Sequence, residues 1–246
     1  MHENIRMFVE RDYEEMSRKA AEVVAQAMRS KPEGVFGFAT GGTPVGLYAE
    51  LADMHKRGQL DCSGLTTFNL DEYHPISRDD PNSYYYFMFE NLFNHINVDP
   101  ANVHLPDGAA ADVDLECRMY EGMIKDAGGI DLQILGIGAN GHIGFNEPAD
   151  SFSARTQYIS LSEMTVNSNA RFFEKEGDVP RHALTMGIRT IMMSRSIVLV
   201  CNGGAKAGVL ADALCGPITP LLPASVLQLH PCVTVVADGE AAKYLT

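Results

Sequence analysis

The chain has no closely spaced cysteine pair, no long apolar run and no surplus of positive charge. Each absence removes a class of function. Its five cysteines, Cys62, Cys117, Cys201, Cys215 and Cys232, are odd in number and scattered. Without a C-x-x-C pair they suggest neither a zinc site nor a disulfide framework, and the expectation is reduced, mostly structural thiols in a cytoplasmic protein. No apolar stretch approaches the roughly 20 residues of a membrane span, so no membrane partner is expected. The N-terminal MHENIRMFVERDYEE lacks the apolar segment of a signal peptide. Lys and Arg number 19 against 32 Asp and Glu, a formal net charge of -13. Nucleic-acid backbones need clustered Lys and Arg, so no nucleic-acid partner is expected. An anionic ligand must then find its cations locally, which makes individual Arg and Lys residues worth tracing.

What is present is ample for a core. Of the 246 residues, 46% are hydrophobic, a length at which α/β chains commonly form one domain. Met16, Ala20, Val23, Val24 and Ala27 repeat at helical spacing across Arg11 to Arg29. Apolar strands are read at 35–39, 65–70, 132–137, 196–201 and 233–237. Helices are read at 45–57, 82–95, 113–127 and 205–214. Strands alternating with helices predict an α/β fold, a three-layer α/β/α arrangement with a mostly parallel, Rossmann-like central sheet. No repeat, low-complexity segment or linker divides the chain. The stretch 150–181 is the least regular and is expected to form a lid over the rest.

Five places carry chemistry. Thr40-Gly41-Gly42-Thr43-Pro44 lies between a strand and a helix, with Thr43 suited to the N-cap and Pro44 to the first helical position. Free N–H groups and the helix dipole there favour an anion, and the absence of a Walker lysine argues against a nucleoside triphosphate. In Phe68-Asn69-Leu70-Asp71-Glu72-Tyr73 two carboxylates end an apolar strand. Adjacent strand residues point opposite ways, so Asp71 and Glu72 face one pocket only if a turn begins there. The segment Leu132 to Pro148, LQILGIGANGHIGFNEP, opens from a strand into glycines that surround His142, with Asn146 and Glu147 close by. His142 suits a general acid or base and Glu147 a group that orients it. Gly136-Ile137-Gly138-Ala139-Asn140-Gly141 satisfies the dinucleotide pattern G-x-G-x-x-G, but Gly144 and Pro148 leave no room for the helix that pattern needs. The glycines, Gly138 among them, are read instead as backbone clearance for a ligand. The last two places are cations: Arg171 in Asn169-Ala170-Arg171-Phe172-Phe173 and Lys206 on the turn Gly203-Gly204-Ala205-Lys206.

Together and in this order, TGGTP, FNLDEY, GANGHIGFNEP, SNARFF, ALTMGI and GGAKA resemble the glucosamine-6-phosphate deaminase family over essentially the whole chain. The resemblance implies the deaminase/ribose-5-phosphate isomerase-like fold. It implies a phosphate loop at Thr40, Gly41, Gly42 and Thr43, completed by Arg171 and Lys206. It further implies that Asp71 moves a proton between C2 and C1 of the sugar, that His142 opens the pyranose ring, and that Glu147 supports this histidine. Glu72 is implied as a secondary site residue. No metal and no organic cofactor is implied. The substrate would be glucosamine 6-phosphate, converted to fructose 6-phosphate and ammonia.

The chain departs from some relatives at Asn140, where they carry Asp. A neutral amide stabilises an imidazolium less, so more of that task is expected of Glu147. The region Arg155-Thr156-Gln157-Tyr158-Ile159 lacks the basic residues of the large allosteric members, and the sequence stops at Thr246. The expectation is the shorter branch of the family, a monomer or small homo-oligomer without activation by N-acetylglucosamine 6-phosphate. Three other readings stay open from sequence. They are a 6-phosphogluconolactonase on a similar fold, a sugar-phosphate-sensing module, and a dinucleotide oxidoreductase. The pairing of Asp71 with the NEP ending speaks against the first. The lack of an N-terminal DNA-binding segment speaks against the second.

Overall fold

The structure is a computed structural model that describes residues 4–169, 173 and 179–245. Its central sheet has seven parallel strands in the order β1 (Ile5–Glu10), β10 (Val233–Asp238), β9 (Ser196–Cys201), β6 (Leu132–Leu135), β2 (Val35–Phe38), β3 (Thr66–Asn69) and β5 (Val103–His104). Strands buried on both faces need apolar side chains in both directions. In β9, Ile197, Leu199 and Cys201 enter one core while Val198 and Val200 enter the other. One face is covered by α1 (Tyr13–Ser30), α2 (Val45–Lys56) and α3 (Tyr84–Asn91). The opposite face is covered by α4 (Val113–Asp126), α6 (Ile188–Met192), α7 (Ala207–Cys215) and α8 (Gly239–Ala242).

This is the expected three-layer α/β architecture, with strands that periodicity did not reveal, the two edge strands β1 and β5 of the central sheet and a second sheet. β1 precedes the first helix; its alternating, half-exposed pattern gives an edge strand, not a continuous apolar run. The second sheet is small and antiparallel, formed by β4 (Asp71–His74), β8 (His182–Thr185) and β7 (Gln157–Ser160). The chain changes sheets at Leu70. Its N–H still bonds Phe38 O of the parallel sheet at 3.1 Å, while its carbonyl accepts from Met186 N, just past β8, at 2.7 Å. The irregular stretch after residue 150 supplies β7 and the short helix α5 (Glu163–Asn169). A third, smaller core of Tyr73, Ile76, Phe145, Leu161, Val166 and Ala183 fastens these pieces beside the carboxyl ends of the parallel strands.

In the central sheet β6 lies between β9 and β2. From β2 the chain proceeds outward to β3 and β5, and from β6 outward to β9 and β10, with the N-terminal β1 paired on the far edge of β10. Loops at such a switch point diverge and leave a crevice at the carboxyl ends of the strands, where open α/β sheets bind ligands.

Candidate active site

The crevice is a cavity of about 820 Å³. Its walls are the loops that follow β2 (Ala39 to Val45), β3 (Leu70, Asp71), β6 (Gly136 to Ala139, His142, Gly144, Phe145) and β9 (Asn202, Lys206). Tyr13, Tyr84 and Thr165 complete it.

One end is shaped for an anion. Gly41 has φ +105°, and neither Gly41 nor Gly42 would meet any atom within 4 Å if it carried a Cβ, because the space beside them is the cavity. Tyr13 Oη pins the loop from α1, donating to Gly42 O at 3.2 Å and accepting from Gly46 N at 2.8 Å. Thr43 does not cap the helix as its position suggested. The helix starts at Val45 with no side-chain cap, and Thr43 Oγ1 turns aside to donate to Asn202 Oδ1 at 2.7 Å. The same hydroxyl accepts from Lys206 Nζ at 3.3 Å. Lys206 is delivered by Gly203, at φ +86°, whose N–H bonds both carboxylate oxygens of Asp238 at 3.0 Å. A helix start, two glycines, a hydroxyl and an ammonium so gathered suit a phosphate. Arg171 lies outside the described residues.

Asp71 occupies the middle of the cavity wall and is 5% exposed. It pairs with Thr185 across the small sheet. Thr185 Oγ1 in turn accepts Phe145 N at 3.0 Å, so one threonine brings the β4 carboxylate and the histidine loop together. Gly144, at φ +57°, permits the approach: a Cβ there would lie 3.4 Å from Asp71 Oδ2 and 3.0 Å from Thr185 Oγ1. The Asp71 carboxylate accepts no hydrogen bond among the described residues. Burial first, and then the neighbouring charge of Glu72, push its pKa up to about 8.

Strand alternation sends Glu72 the other way. It does not line the cavity; it accepts backbone N–H groups from Tyr73, Tyr84 and Tyr85, each at 2.9 Å, and so anchors the first turn of α3. Burial pushes its pKa up to about 7 against the pull of those three donors. Its service to the site is indirect, through Tyr84. The ring of Tyr84 lines the cavity and stacks on Phe145, with centroids 5.9 Å apart.

The third group is a relay. His142 faces the cavity; Asn140 and Glu147 are behind it. His142 Nδ1 is 2.7 Å from Asn140 Oδ1, and Asn140 Nδ2 donates to Glu147 Oε2 at 2.6 Å. Glu147 reaches His142 Nδ1 directly only at 3.9 Å. The carboxylate is acceptor-only, so the amide must turn its NH₂ toward Glu147 and its oxygen toward the ring. Nδ1 then carries the proton, and Nε2 keeps its lone pair. Burial lowers the pKa of His142; the charge of Glu147 opposes this and that of Lys206 adds to it. The departure at Asn140 is therefore a built relay: the amide lies between the ring and Glu147, the carboxylate expected to support it.

The glycines were expected to clear space for a ligand, and Gly136 does. The space beside Gly138 is filled by the His142 ring, and that beside Gly141 by Leu222. Sequence reasoning missed Tyr13, Tyr84, Phe145, Thr165 and Asn202. Only Asn202 carried a local signal, as the residue that opens the Gly-Gly-Ala-Lys turn. Among the described residues no group of three His, Cys, Asp or Glu side chains could hold a metal ion, and no helix is long and apolar enough to cross a membrane.

Residues 11–236 match the model of the glucosamine-6-phosphate isomerases/6-phosphogluconolactonase family. The glucosamine-6-phosphate deaminase of Thermoanaerobacter pseudethanolicus is 53% identical over 95% of this chain and 92% of its own. That of Clostridium botulinum is 49% identical over 98% and 99%. A solved structure of a monomeric glucosamine-6-phosphate deaminase superposes with a TM-score of 0.94 at 46% identity, covering 97% of this chain and 99% of that one. The 6-phosphogluconolactonase of Thermotoga maritima shares the fold, with a TM-score of 0.75 at 20% identity over 95% of this chain and 99% of its own. Matched along nearly its whole length, the chain belongs to the glucosamine-6-phosphate isomerase/6-phosphogluconolactonase family.

Proposed function

We propose that the protein is a glucosamine-6-phosphate deaminase, converting glucosamine 6-phosphate and water to fructose 6-phosphate and ammonia. One observation carries the reading. The buried Asp71 carboxylate, without a hydrogen-bond donor among the described residues, faces the cavity that also holds an anion-binding end and the His142 relay. A 2-ammonium sugar phosphate brings a cation to the first and an anion to the second.

The phosphate rests on the Thr40–Thr43 loop and Lys206, with Arg171 as a further cation from residues 150–181, which act as a lid on a single domain. Holding the phosphate fixes the sugar carbons against one carboxylate. His142 Nε2, unprotonated, takes the proton of the anomeric hydroxyl as the C1–O5 bond breaks and returns it to O5. Asp71 removes the C2 proton to give the enolamine and returns a proton to C1. Water then adds at C2 as the C–N bond breaks, and ammonia leaves. Each transfer is a general acid–base step, made by a group aimed into the cavity. No metal or organic cofactor takes part. We place the protein in the cytoplasm, as a monomer or small homo-oligomer.

The test is a coupled ammonia assay with glucosamine 6-phosphate, run beside 6-phosphogluconolactone. Ammonia release supports the deaminase; lactone hydrolysis without it overturns the reading in favour of the sister activity. The rate curve will be hyperbolic and unchanged by N-acetylglucosamine 6-phosphate; a sigmoidal curve relieved by that sugar contradicts the non-allosteric assignment. Lys206→Ala will raise KM by about tenfold or more with a smaller change in kcat, the loss of one charge-assisted contact to phosphate. An unchanged KM removes Lys206 from the phosphate site.

A further inference from the structure

The polar chain behind His142 does not end at Glu147. Oε2 of Glu147 is taken by Asn140, and Oε1 accepts the hydroxyl of Thr165, from the first turn of α5. Ser162, just before that helix, has its Oγ 3.1 Å from Glu147 Oε1 and 3.1 Å from Thr165 Oγ1. It has one proton for two acceptors. Its oxygen also accepts Thr165 N at 3.2 Å. Thr165 is 3% exposed, and the next residue, Val166, is packed in the core that holds Tyr73 and Phe145. The threonine is thus held on one side by packing and on the other by the carboxylate.

A carboxylate with one oxygen fixed presents the other in a fixed direction. Without the Thr165 hydroxyl, Oε1 keeps only the longer contact to Ser162, and the carboxylate can rotate, bring an oxygen to His142 Nδ1 directly, and release the amide of Asn140. We propose that Thr165 is a positioning residue for His142: its hydroxyl anchors Glu147, which orients the Asn140 amide, which holds the imidazole as the Nδ1–H tautomer with Nε2 free for the ring-opening proton. The inference rests on the deaminase reading for its catalytic consequence, though the tautomer can be read without it. Two charged groups bear on the ring, Glu147 from its own loop and Lys206 from the turn after β9. Thr165 acts on the first of them.

The test compares Thr165→Val, which keeps the shape and removes the hydroxyl, with Thr165→Ser, which keeps the hydroxyl and removes a methyl. A packing role makes Ser the worse variant; the relay makes Val the worse. We expect Thr165→Val to lower kcat by about tenfold, the effect of one hydrogen bond to a charged group, with KM within about twofold. Thr165→Ser should keep most of the turnover. In ¹⁵N-histidine spectra the resonances of His142, assigned by their loss in His142→Gln, should show the Nδ1–H pattern in the parent and in Thr165→Ser. In Thr165→Val they should show a tautomer mixture, and the ring should titrate at higher pH, because the carboxylate has come closer. If Thr165→Val keeps the parent's tautomer and kcat, or if it raises KM alone, the inference is overturned. If the parent releases no ammonia, the deaminase reading fails instead, and the spectra still decide whether Thr165 sets the ring.

Discussion

Asp71→Asn is expected to lower turnover by roughly a hundred- to ten-thousand-fold while the sugar phosphate still binds. The amide fills the same space beside Gly144 and Thr185 but cannot accept the C2 proton. The phosphate end, more than a strand away in sequence, keeps its contacts with Thr43 and Lys206. The measurement pairs ammonia release with calorimetric titration of the substrate into the variant. Turnover within about tenfold of the parent would remove Asp71 from the proton transfer.

The same substitution has a second signature, in stability. Asp71 sits at about 8, raised from 3.8 by burial and by the charge of Glu72. A carboxyl whose pKa is raised by folding favours the folded state while it is protonated, and that contribution is complete below the ordinary carboxylate range. It is lost as pH climbs through about 8, where the native protein must hold a buried anion. Uncomplexed protein should therefore lose thermal stability between about pH 4 and pH 8, and Asp71→Asn should lose less of it over that span. Glu72, raised to about 7, adds a slope of the same sign in both proteins, so the difference between the two melting curves reports Asp71 together with its coupling to Glu72. Because the base must be ionised, kcat/KM of the parent should rise with pH through about 8. The limb in kcat should lie lower, since a bound ammonium favours the carboxylate.

The sequence showed the inner strands of the parallel sheet because they are buried on both faces; in β9 Val198 and Val200 lie opposite Leu199 and Cys201, so the run reads as a buried strand. It did not show β4, since Asp71-Glu72-Tyr73-His74 has no apolar period, and its pairing with β8 depends on a contact more than a hundred residues away. That hidden strand decides which carboxylate faces the cavity. Alternation alone said that Asp71 and Glu72 diverge; only the change of sheets at Leu70 says which way each goes. Asn140 was legible as a departure from some relatives, but its effect was not. Its amide spans 2.7 Å to one partner and 2.6 Å to the other, a fit that spacing along the chain cannot express. Thr165 was silent for the same reason, being a threonine in an irregular stretch whose meaning depends on where Glu147 falls.

Gly138→Ala is expected to disable the enzyme without unfolding it. A Cβ built at this position lies 2.1 Å from Cε1, 2.3 Å from Nε2 and 2.4 Å from Nδ1 of His142, well inside the contact distance of carbon and nitrogen. The backbone is poorly placed to yield, because Gly138 N bonds His142 O at 2.9 Å and Gly138 O accepts Gly141 N at 3.0 Å, closing the turn that carries the ring. The imidazole must therefore swing away, and with it go the 2.7 Å contact to Asn140 and the aim of Nε2. Displacing a catalytic group by about 1 Å costs on the order of a hundredfold in rate. The loss should fall on kcat, with KM little changed, because the phosphate end is untouched. Gly138 has no positive φ, so alanine strains no dihedral there and the melting temperature should move by only a few degrees, roughly the shift of 1 kcal/mol. Gly42→Ala is the matched control for adding a methyl group near the site: its Cβ meets nothing within 4 Å and lies on the anion-binding loop, so any effect should appear in KM. If Gly138→Ala turns over like the parent, the ring has another place to work from and the relay through Asn140 is not what aims it. If it fails to fold, a ¹⁵N-histidine spectrum of Asn140→Leu, which breaks the same contact without adding a clash, answers the question in its place.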